Sequence, residues 1–183
     1  LQKTTLIDYP GKVACTVFLV GCNFRCPFCY SSELVLPAKV KKQPRVSEKE
    51  FFDFLKKRRG LLDGVVVCGG EPTVQAGLVE FIGRIRKLGF LVKLDTNGSN
   101  PALLSKLFEQ KLLDYVAMDI KAPLQKRHYE KASGVRIDLD KIKKSIALIK
   151  SSGVGYEFRS TIVPGIHTKE DVLQMAQDIA PAR

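Results

Sequence analysis

Three cysteines lie within a stretch of eight residues in this sequence, at Cys22, Cys26 and Cys29. The spacing Cys-x3-Cys-x2-Cys lets three thiolates on a short loop reach three corners of a cubane [4Fe–4S] cluster, whereas a closed four-iron site usually takes a fourth cysteine. One iron would then have no protein ligand, and an open position of this kind distinguishes a catalytic metal site from a structural one. The spacing therefore predicts a cluster at which a substrate or cofactor can bind.

Spacing alone leaves two other uses of these cysteines open. One is a zinc site completed by a distant residue such as Cys68, and the other is a cluster that only transfers electrons. Cys15 and Cys68 lie within apolar segments, where free cysteine behaves as a small buried hydrophobe, so neither is our preferred ligand. His128 and His167 have no partner at metal-ligand spacing, and we expect both to be exposed or hydrogen-bonded.

The elements that must position these cysteines alternate along the chain. Apolar runs at 13–20, 64–68, 90–94, 115–120 and 156–163 predict strands buried on both faces. Amphipathic stretches follow each of them, and they predict helices at 47–59, where Ser47 and Glu50 have the form of a capping box, and at 74–88, 101–111, 139–150 and 169–179. This alternation predicts an α/β fold with a parallel sheet, a whole or partial (β/α) barrel of five to six units.

Each distinctive motif falls at the end of one of these strands. After the cysteine loop come Gly-Gly-Glu-Pro at 69–72, Asp-Thr-Asn-Gly at 95–98, the pair Asp119 and Lys121, and Arg159 before Pro-Gly at 164–165. Because the carboxyl ends of parallel strands share one edge, the motifs should meet at one mouth. Asp119 and Lys121 are two residues apart, so their side chains should point to the same side.

Composition predicts one soluble domain over residues 1–183. No apolar run approaches the roughly 18 to 20 residues needed to span a bilayer, which favours a cytoplasmic protein with no membrane partner. The net charge of +11 is interpreted as solvated helix faces, with an acidic protein partner as the next hypothesis and nucleic acid after it.

The motifs together resemble those of the radical S-adenosylmethionine (radical SAM) superfamily. Gly-Cys-Asn-Phe-Arg-Cys-Pro-Phe-Cys at 21–29 is followed in order by Gly-Gly-Glu-Pro and Asp-Thr-Asn-Gly, and the resemblance covers nearly the whole chain. Residues 5–12 and Ser-Glu-Leu-Val at 32–35 are similar to activating proteins of anaerobic ribonucleoside-triphosphate reductases. Pyruvate formate-lyase activating enzymes are near relatives of that group.

The resemblance implies that the open iron binds S-adenosylmethionine (SAM) through its methionyl amino and carboxylate groups. Phe28 would then lie beside the adenine of SAM, with simple packing of the loop as the competing interpretation. The carbonyls of Gly69 and Gly70 would accept from the amino group of SAM. Glu71 would orient that glycine loop.

The later motifs are implied to surround the SAM carboxylate. Asp95, Thr96 and Asp119 would help to hold a monovalent cation beside it, and Lys121 would lie near SAM. Arg159 would pair with a carboxylate or stack near the ligand, with a surface salt bridge as the competing interpretation.

The primary hypothesis is an activase that removes a hydrogen atom from a glycine of a partner glycyl radical enzyme, anaerobic ribonucleotide reductase first among the candidates. Flavodoxin or ferredoxin would supply the electron, and because the cofactors carry the chemistry no side chain is predicted to be catalytic. A radical SAM enzyme acting on a small molecule, peptide or RNA base is the alternative, and a non-catalytic electron-transfer protein is the third hypothesis.

Two departures from the family pattern bear on these expectations. Tyr30-Ser31-Ser32 follows the third cysteine where the family usually has His-Asn-Pro, so contacts near the cluster should differ. The family generally has six β/α units, and a sixth is expected to be missing or to lie in a truncated tail.

Overall fold

A six-stranded sheet forms the centre of the chain in the computed structural model, which describes residues 1–182. The strands are β1 Gln2–Thr5, β2 Ala14–Leu19, β3 Gly64–Gly69, β4 Leu91–Thr96, β5 Tyr115–Asp119 and β6 Gly155–Arg159. They follow one another across the sheet in chain order; β1 is antiparallel to β2 and the later pairs are parallel. The sheet therefore confirms the predicted partial (β/α) barrel, with five β/α units.

The longer helices pack against one face of this sheet, and two short helices follow the cysteine loop. They are α1 Ser32–Val35, α2 Pro37–Val40, α3 Glu48–Lys57, α4 Leu78–Lys87, α5 Pro101–Glu109, α6 Lys126–Ser133, α7 Leu139–Ser151 and α8 Lys169–Ile179. The capping box of α3 is confirmed, because the Ser47 hydroxyl accepts the N–H of Glu50 while the Glu50 carboxylate accepts that of Ser47. No helix within residues 1–182 is both long and apolar enough to cross a membrane.

The two faces of the sheet differ in chemistry because side chains alternate along each strand. Val65 and Val67 of β3 face the main core, where they pack with helix residues such as Leu55 and Ile82. The other face carries a small apolar cluster of Tyr9, Ala14 and Val66. Beside that cluster, charged side chains from β4, β5 and β6 contact one another, and Thr16 of β2 donates to the carboxylate of Asp8.

Several element boundaries differ from the sequence prediction. The helix predicted at 74–88 is a 3-10 turn at Pro72–Val74 followed by α4, because Gly77 interrupts the helical pattern and caps α4 instead. The strand predicted at 156–163 ends at Arg159, where its partner β5 also ends. The edge strand β1 and the helix α6 between β5 and α7 were not predicted.

Candidate active site

The cysteine loop lies directly after β2 and is fixed by its own backbone. The N–H of Cys29 donates to the carbonyl of Cys26 at 3.1 Å, and the N–H of Phe24 donates to the Cys22 sulfur at 3.3 Å. Arg25 joins the loop to the end of α6 through its N–H, which donates to the Ser133 carbonyl at 2.8 Å. The three thiols thus project from a braced loop into one cavity.

That cavity, of about 210 Å³, lies at the carboxyl ends of the strands. Every candidate residue from the sequence lines it: Cys22, Cys26, Cys29, Phe28, Gly69, Gly70, Glu71, Asp95, Thr96, Asp119, Lys121 and Arg159. The predicted convergence of strand ends on one mouth therefore occurs.

The glycine loop after β3 packs against the backbone of the cysteine loop. The N–H of Gly70 donates to the Leu19 carbonyl at 2.9 Å, and the N–H of Glu71 donates to the Gly21 carbonyl at 2.8 Å. A Cβ at Gly70 would overlap the Gly21 carbonyl, and Gly69 has a φ of 130°. Only glycine allows this approach, which brings the two loops together at the cavity wall.

Glu71 is buried at the junction of three backbone segments. Its Oε1 accepts from the N–H and hydroxyl of Thr73 and from the hydroxyl of Thr96, and its Oε2 accepts from the N–H of Asn97 at 2.6 Å. Burial raises the pKa of this carboxyl, and the four donated hydrogen bonds oppose that rise. Such contacts suit a group that holds loops in place rather than one that moves a proton.

A chain of ion pairs crosses the far wall of the cavity. Arg159 contacts Asp95 at 3.1 Å and Asp119 at 3.4 Å, and Lys121 contacts Asp119 at 3.0 Å. Burial lowers the pKa of the Lys121 ammonium, but the Asp119 carboxylate and the nearby thiols of Cys26 and Cys22 together outweigh it, so the pKa is raised overall. The prediction that Asp119 and Lys121 point to the same side is confirmed by this contact.

The Phe28 ring meets the edge of His167, with ring centroids 6.2 Å apart. His167 Nδ1 accepts from the N–H of Val163, so Nε2 carries the proton that is donated to the Lys121 carbonyl at 2.8 Å. His167 is thus buried and hydrogen-bonded. His128 is exposed and lies 3.6 Å from Asp171.

Some residues of this wall were not among the predicted site residues. Cys68, considered from the sequence only as a possible ligand of a zinc site, reaches the cavity because it lies near the end of β3 on the same face as Val66. Burial raises the pKa of its thiol to about 12. Asn97 lines the cavity as well and donates through its side chain to Asn23 of the cysteine loop at 2.9 Å. The alternation of strand residues could have indicated Cys68, whereas the contact of Asn97 depends on the tertiary fold.

The donor set fits an iron–sulfur cluster. Three thiols share one wall of the cavity, and thiolates are the usual ligands of such clusters. Within residues 1–182, no three His, Cys, Asp or Glu side chains converge closely enough to hold a single metal ion.

A parallel (β/α) sheet with a three-cysteine loop and a charged cavity at its strand ends defines a class of cluster-dependent enzymes. This chain belongs to the radical SAM superfamily, whose family model matches residues 16–179. Membership implies a [4Fe–4S] cluster and SAM as cofactors.

Among its relatives are glycyl-radical enzyme activating enzymes. A Methanocaldococcus jannaschii protein provisionally named as one is 38% identical over 181 residues, covering 94% of this chain and 71% of the relative. The pyruvate formate-lyase-activating enzyme of Listeria monocytogenes is 30% identical over 132 residues, covering 67% of this chain and 52% of that enzyme. The chain thus spans about half the length of the Listeria enzyme.

Solved structures support the fold. Streptococcus suis SuiB bound to S-adenosylmethionine superposes with a TM-score of 0.68 at 16% identity, covering 89% of this chain and 36% of SuiB. TYW1 with a bound lysine–pyruvate adduct superposes with a TM-score of 0.60 at 18% identity, covering 91% and 59% of the two chains.

Proposed function

We propose that this chain is a glycyl-radical activase, which cleaves SAM reductively and removes a hydrogen atom from a glycine of a partner enzyme. The observation that carries the proposal is the convergence of the three-cysteine loop, the glycine loop and the ion-pair chain on one cavity. The homology to activating enzymes supports the same reaction.

The cysteine loop would hold the cluster through Cys22, Cys26 and Cys29. Burial raises the pKa of Cys22 and of Cys26, so both thiols must release their protons when the cluster assembles. When bound, the cluster supplies an electron that breaks the sulfonium C–S bond of SAM and yields methionine and a 5′-deoxyadenosyl radical.

The glycine loop would bind the amino group of SAM. Gly69 and Gly70 have no side chains to keep a ligand away from the backbone carbonyls. Glu71 would act behind them, because its carboxylate is fully engaged by main-chain and hydroxyl donors. Phe28 offers an aromatic ring for the adenine.

The ion-pair chain would bind the carboxylate of SAM. Lys121 and Arg159 carry the positive charge, and Asp95 and Asp119 hold both side chains toward the cavity. A monovalent cation would use the carboxylates of Asp95 and Asp119 and the hydroxyl oxygen of Thr96, which donates to Glu71 and accepts from Gly98 but keeps a second lone pair.

The substrate would be a loop of a glycyl radical enzyme, with anaerobic ribonucleoside-triphosphate reductase favoured by the resemblance of residues 5–12 and 32–35. One hydrogen atom moves from the glycine Cα to the 5′ carbon, which gives 5′-deoxyadenosine and leaves the unpaired electron on the glycine. An acidic flavodoxin or ferredoxin would supply the electron to this basic chain.

The test is to mix the cluster-loaded protein anaerobically with its reductase partner, SAM and a reductant. We expect an EPR doublet, because the unpaired electron on the glycyl Cα couples to the one remaining α-hydrogen. Alanine at the partner's radical glycine should remove the doublet.

The alternatives give different products. Normal SAM cleavage with no partner radical, together with a modified small molecule, peptide or RNA, would replace the activase proposal with one of those substrates. A cluster-loaded protein that never forms 5′-deoxyadenosine would instead be an electron-transfer protein.

A further inference from the structure

A lysine is buried on the same sheet face as the ion-pair chain, outside the set of residues that the sequence singled out. Lys93 of β4 is 1% exposed and lies two residues before Asp95, so both side chains project from the same face. Lysine is almost never fully buried unless it is paired.

The Lys93 ammonium has several partners, one on each of three segments. It donates to the main-chain carbonyl of Asp8 at 2.6 Å, and it lies 3.1 Å from Oδ1 of Asp95 and 3.4 Å from Oε1 of Glu157. It therefore connects the loop between β1 and β2 with the charged wall of the cavity.

The Lys93 ammonium is the ion-pair partner of Oδ1, one of the two carboxylate oxygens of Asp95. The other oxygen, Oδ2, accepts from Arg159, whereas Oδ1 is buried and accepts no hydrogen bond of good geometry within residues 1–182. The 3.1 Å contact with Lys93 is close enough for an ion pair although its direction does not suit a hydrogen bond. Charge attraction is less sensitive to direction than hydrogen bonding, so we regard the ion pair as the interaction that matters.

We propose that Lys93 is a positioning residue, which holds the Asp95 carboxylate toward Arg159 and thereby keeps the SAM-binding wall in place. Without the ammonium, Arg159 would remain as the ion-pair partner of Oδ2 while the buried Oδ1 lost the charge beside it, and the carboxylate would turn or draw Arg159 away from the cavity. This inference rests on the proposed binding of SAM at that wall.

A purely structural lysine would behave differently. The loop at Asp8 has a second attachment, because the Asp8 carboxylate accepts from the Thr16 hydroxyl at 2.7 Å. Loss of Lys93 should therefore affect Asp95 more than the path of the loop, and amide hydrogen exchange of residues 6–13 reports the loop separately.

The variants are Lys93→Met, which removes the charge at similar volume, and Lys93→Arg, which keeps it. Lys150→Met is the matched control, because the Lys150 ammonium also donates to a main-chain carbonyl, that of Ala180, but far from the cavity in the fold. Each cluster-loaded protein is assayed for iron content, for equilibrium SAM binding and for unfolding by urea.

For Lys93→Met we expect unchanged iron content and a SAM dissociation constant raised on the order of tenfold, by analogy with the loss of groups that orient metal ligands. Lys93→Arg should recover most of the affinity, and Lys150→Met should bind SAM as the wild type does. Wild-type affinity in Lys93→Met, or equal losses of affinity and stability in both Lys93 variants, would overturn the inference.

A double-mutant cycle keeps the test decisive if Lys93→Met folds poorly. Asp95→Asn removes the carboxylate that Lys93 compensates, so the double variant has no unpaired buried charge. If Lys93 acts through Asp95, Lys93→Met should not change SAM affinity further in the Asp95→Asn background. The proposal is contradicted if Lys93→Met lowers SAM affinity as much in the Asp95→Asn background as it does in the wild type. If the wild type itself binds no SAM, the proposed function is contradicted as well.

Discussion

Glu71 and Asn97 join the loops that follow β3 and β4, because the Glu71 carboxylate accepts the main-chain N–H of Asn97 at 2.6 Å. The same carboxylate accepts from Thr73 within its own loop and from Thr96 at the end of β4. The Gly-Gly-Glu-Pro and Asp-Thr-Asn-Gly motifs therefore form one structural unit, which is held together by the buried carboxylate of Glu71.

Glu71→Gln should destabilise the fold. An amide keeps the shape of the side chain but presents its NH₂ group to a donor, either the Asn97 N–H or the donors of Thr73 and Thr96. Leaving such a donor unsatisfied in a buried position costs about 1–3 kcal/mol. Urea unfolding followed by circular dichroism measures the change, and a wild-type midpoint would contradict the role given to Glu71.

The same substitution should alter the dependence of stability on pH. Burial raises the pKa of Glu71 above its ordinary value of 4.5, so the folded chain keeps a proton that the unfolded chain has lost. The stability that Glu71 contributes is then complete below pH 4.5 and is lost as the pH rises through the pKa of the folded state. The stability advantage of wild type over Glu71→Gln should shrink with rising pH, and an advantage that grows would mean that the hydrogen bonds outweigh burial.

Gly70→Ala should disturb cluster assembly. Its Cβ would overlap the Gly21 carbonyl and lie 3.3 Å from Cys22 Cβ, so the loop carrying the first cysteine must shift. Iron content after anaerobic reconstitution should fall well below that of the wild type. Gly83→Ala is the control, because its Cβ meets nothing within 4 Å and alanine stabilises a helix by about 0.5–1 kcal/mol.

Local sequence patterns were sufficient to predict the parallel strands of the sheet and the mouth of the site, but not the antiparallel edge strand β1. Apolar runs gave the parallel strands, and the motifs after them had to meet because parallel strands end at one edge. The strand register completes this arrangement. Asp119 of β5 lies opposite Arg159 of β6, and Asp95 of β4 lies opposite Ala117, two residues before Asp119 on the same face of β5. Arg159 can therefore reach both carboxylates.

Other features depend on contacts that no local pattern encodes. Lys93 is a single charge in an apolar run, and its burial is explained by Asp95 together with Asp8 and Glu157, which approach from other segments of the chain. The helix α6 has few apolar residues, and it is fixed by Tyr129, which is fully buried, and by the Arg25 contact to its last turn. Such elements are determined by tertiary packing rather than by their own sequence.

Alanine at Cys22, Cys26 or Cys29 should abolish the intact cluster, because each thiol would hold one corner. The wild type should bind about four irons per chain after reconstitution. Cys15→Ala is the matched control, since Cys15 is fully buried in β2 with its thiol away from the cavity lining. Stoichiometric zinc with no cluster absorption in the wild type would contradict the assignment.

Asp119→Ala should weaken the binding of SAM without changing the iron content. Asp119 contacts both Lys121 and Arg159, so its loss removes the carboxylate that orients Lys121 and leaves Arg159 held by Asp95. The two cations proposed to bind the SAM carboxylate are then less well placed, and the dissociation constant should rise on the order of tenfold. Asp114→Ala is the matched control, because Asp114 precedes the opposite end of β5, where it accepts from the N–H of Val92 and pairs with Arg86. The control should lose stability but bind SAM normally once folded and loaded with the cluster. Equilibrium SAM binding and iron analysis of both variants separate the two roles, and unchanged SAM affinity in Asp119→Ala would remove Asp119 from the proposed site.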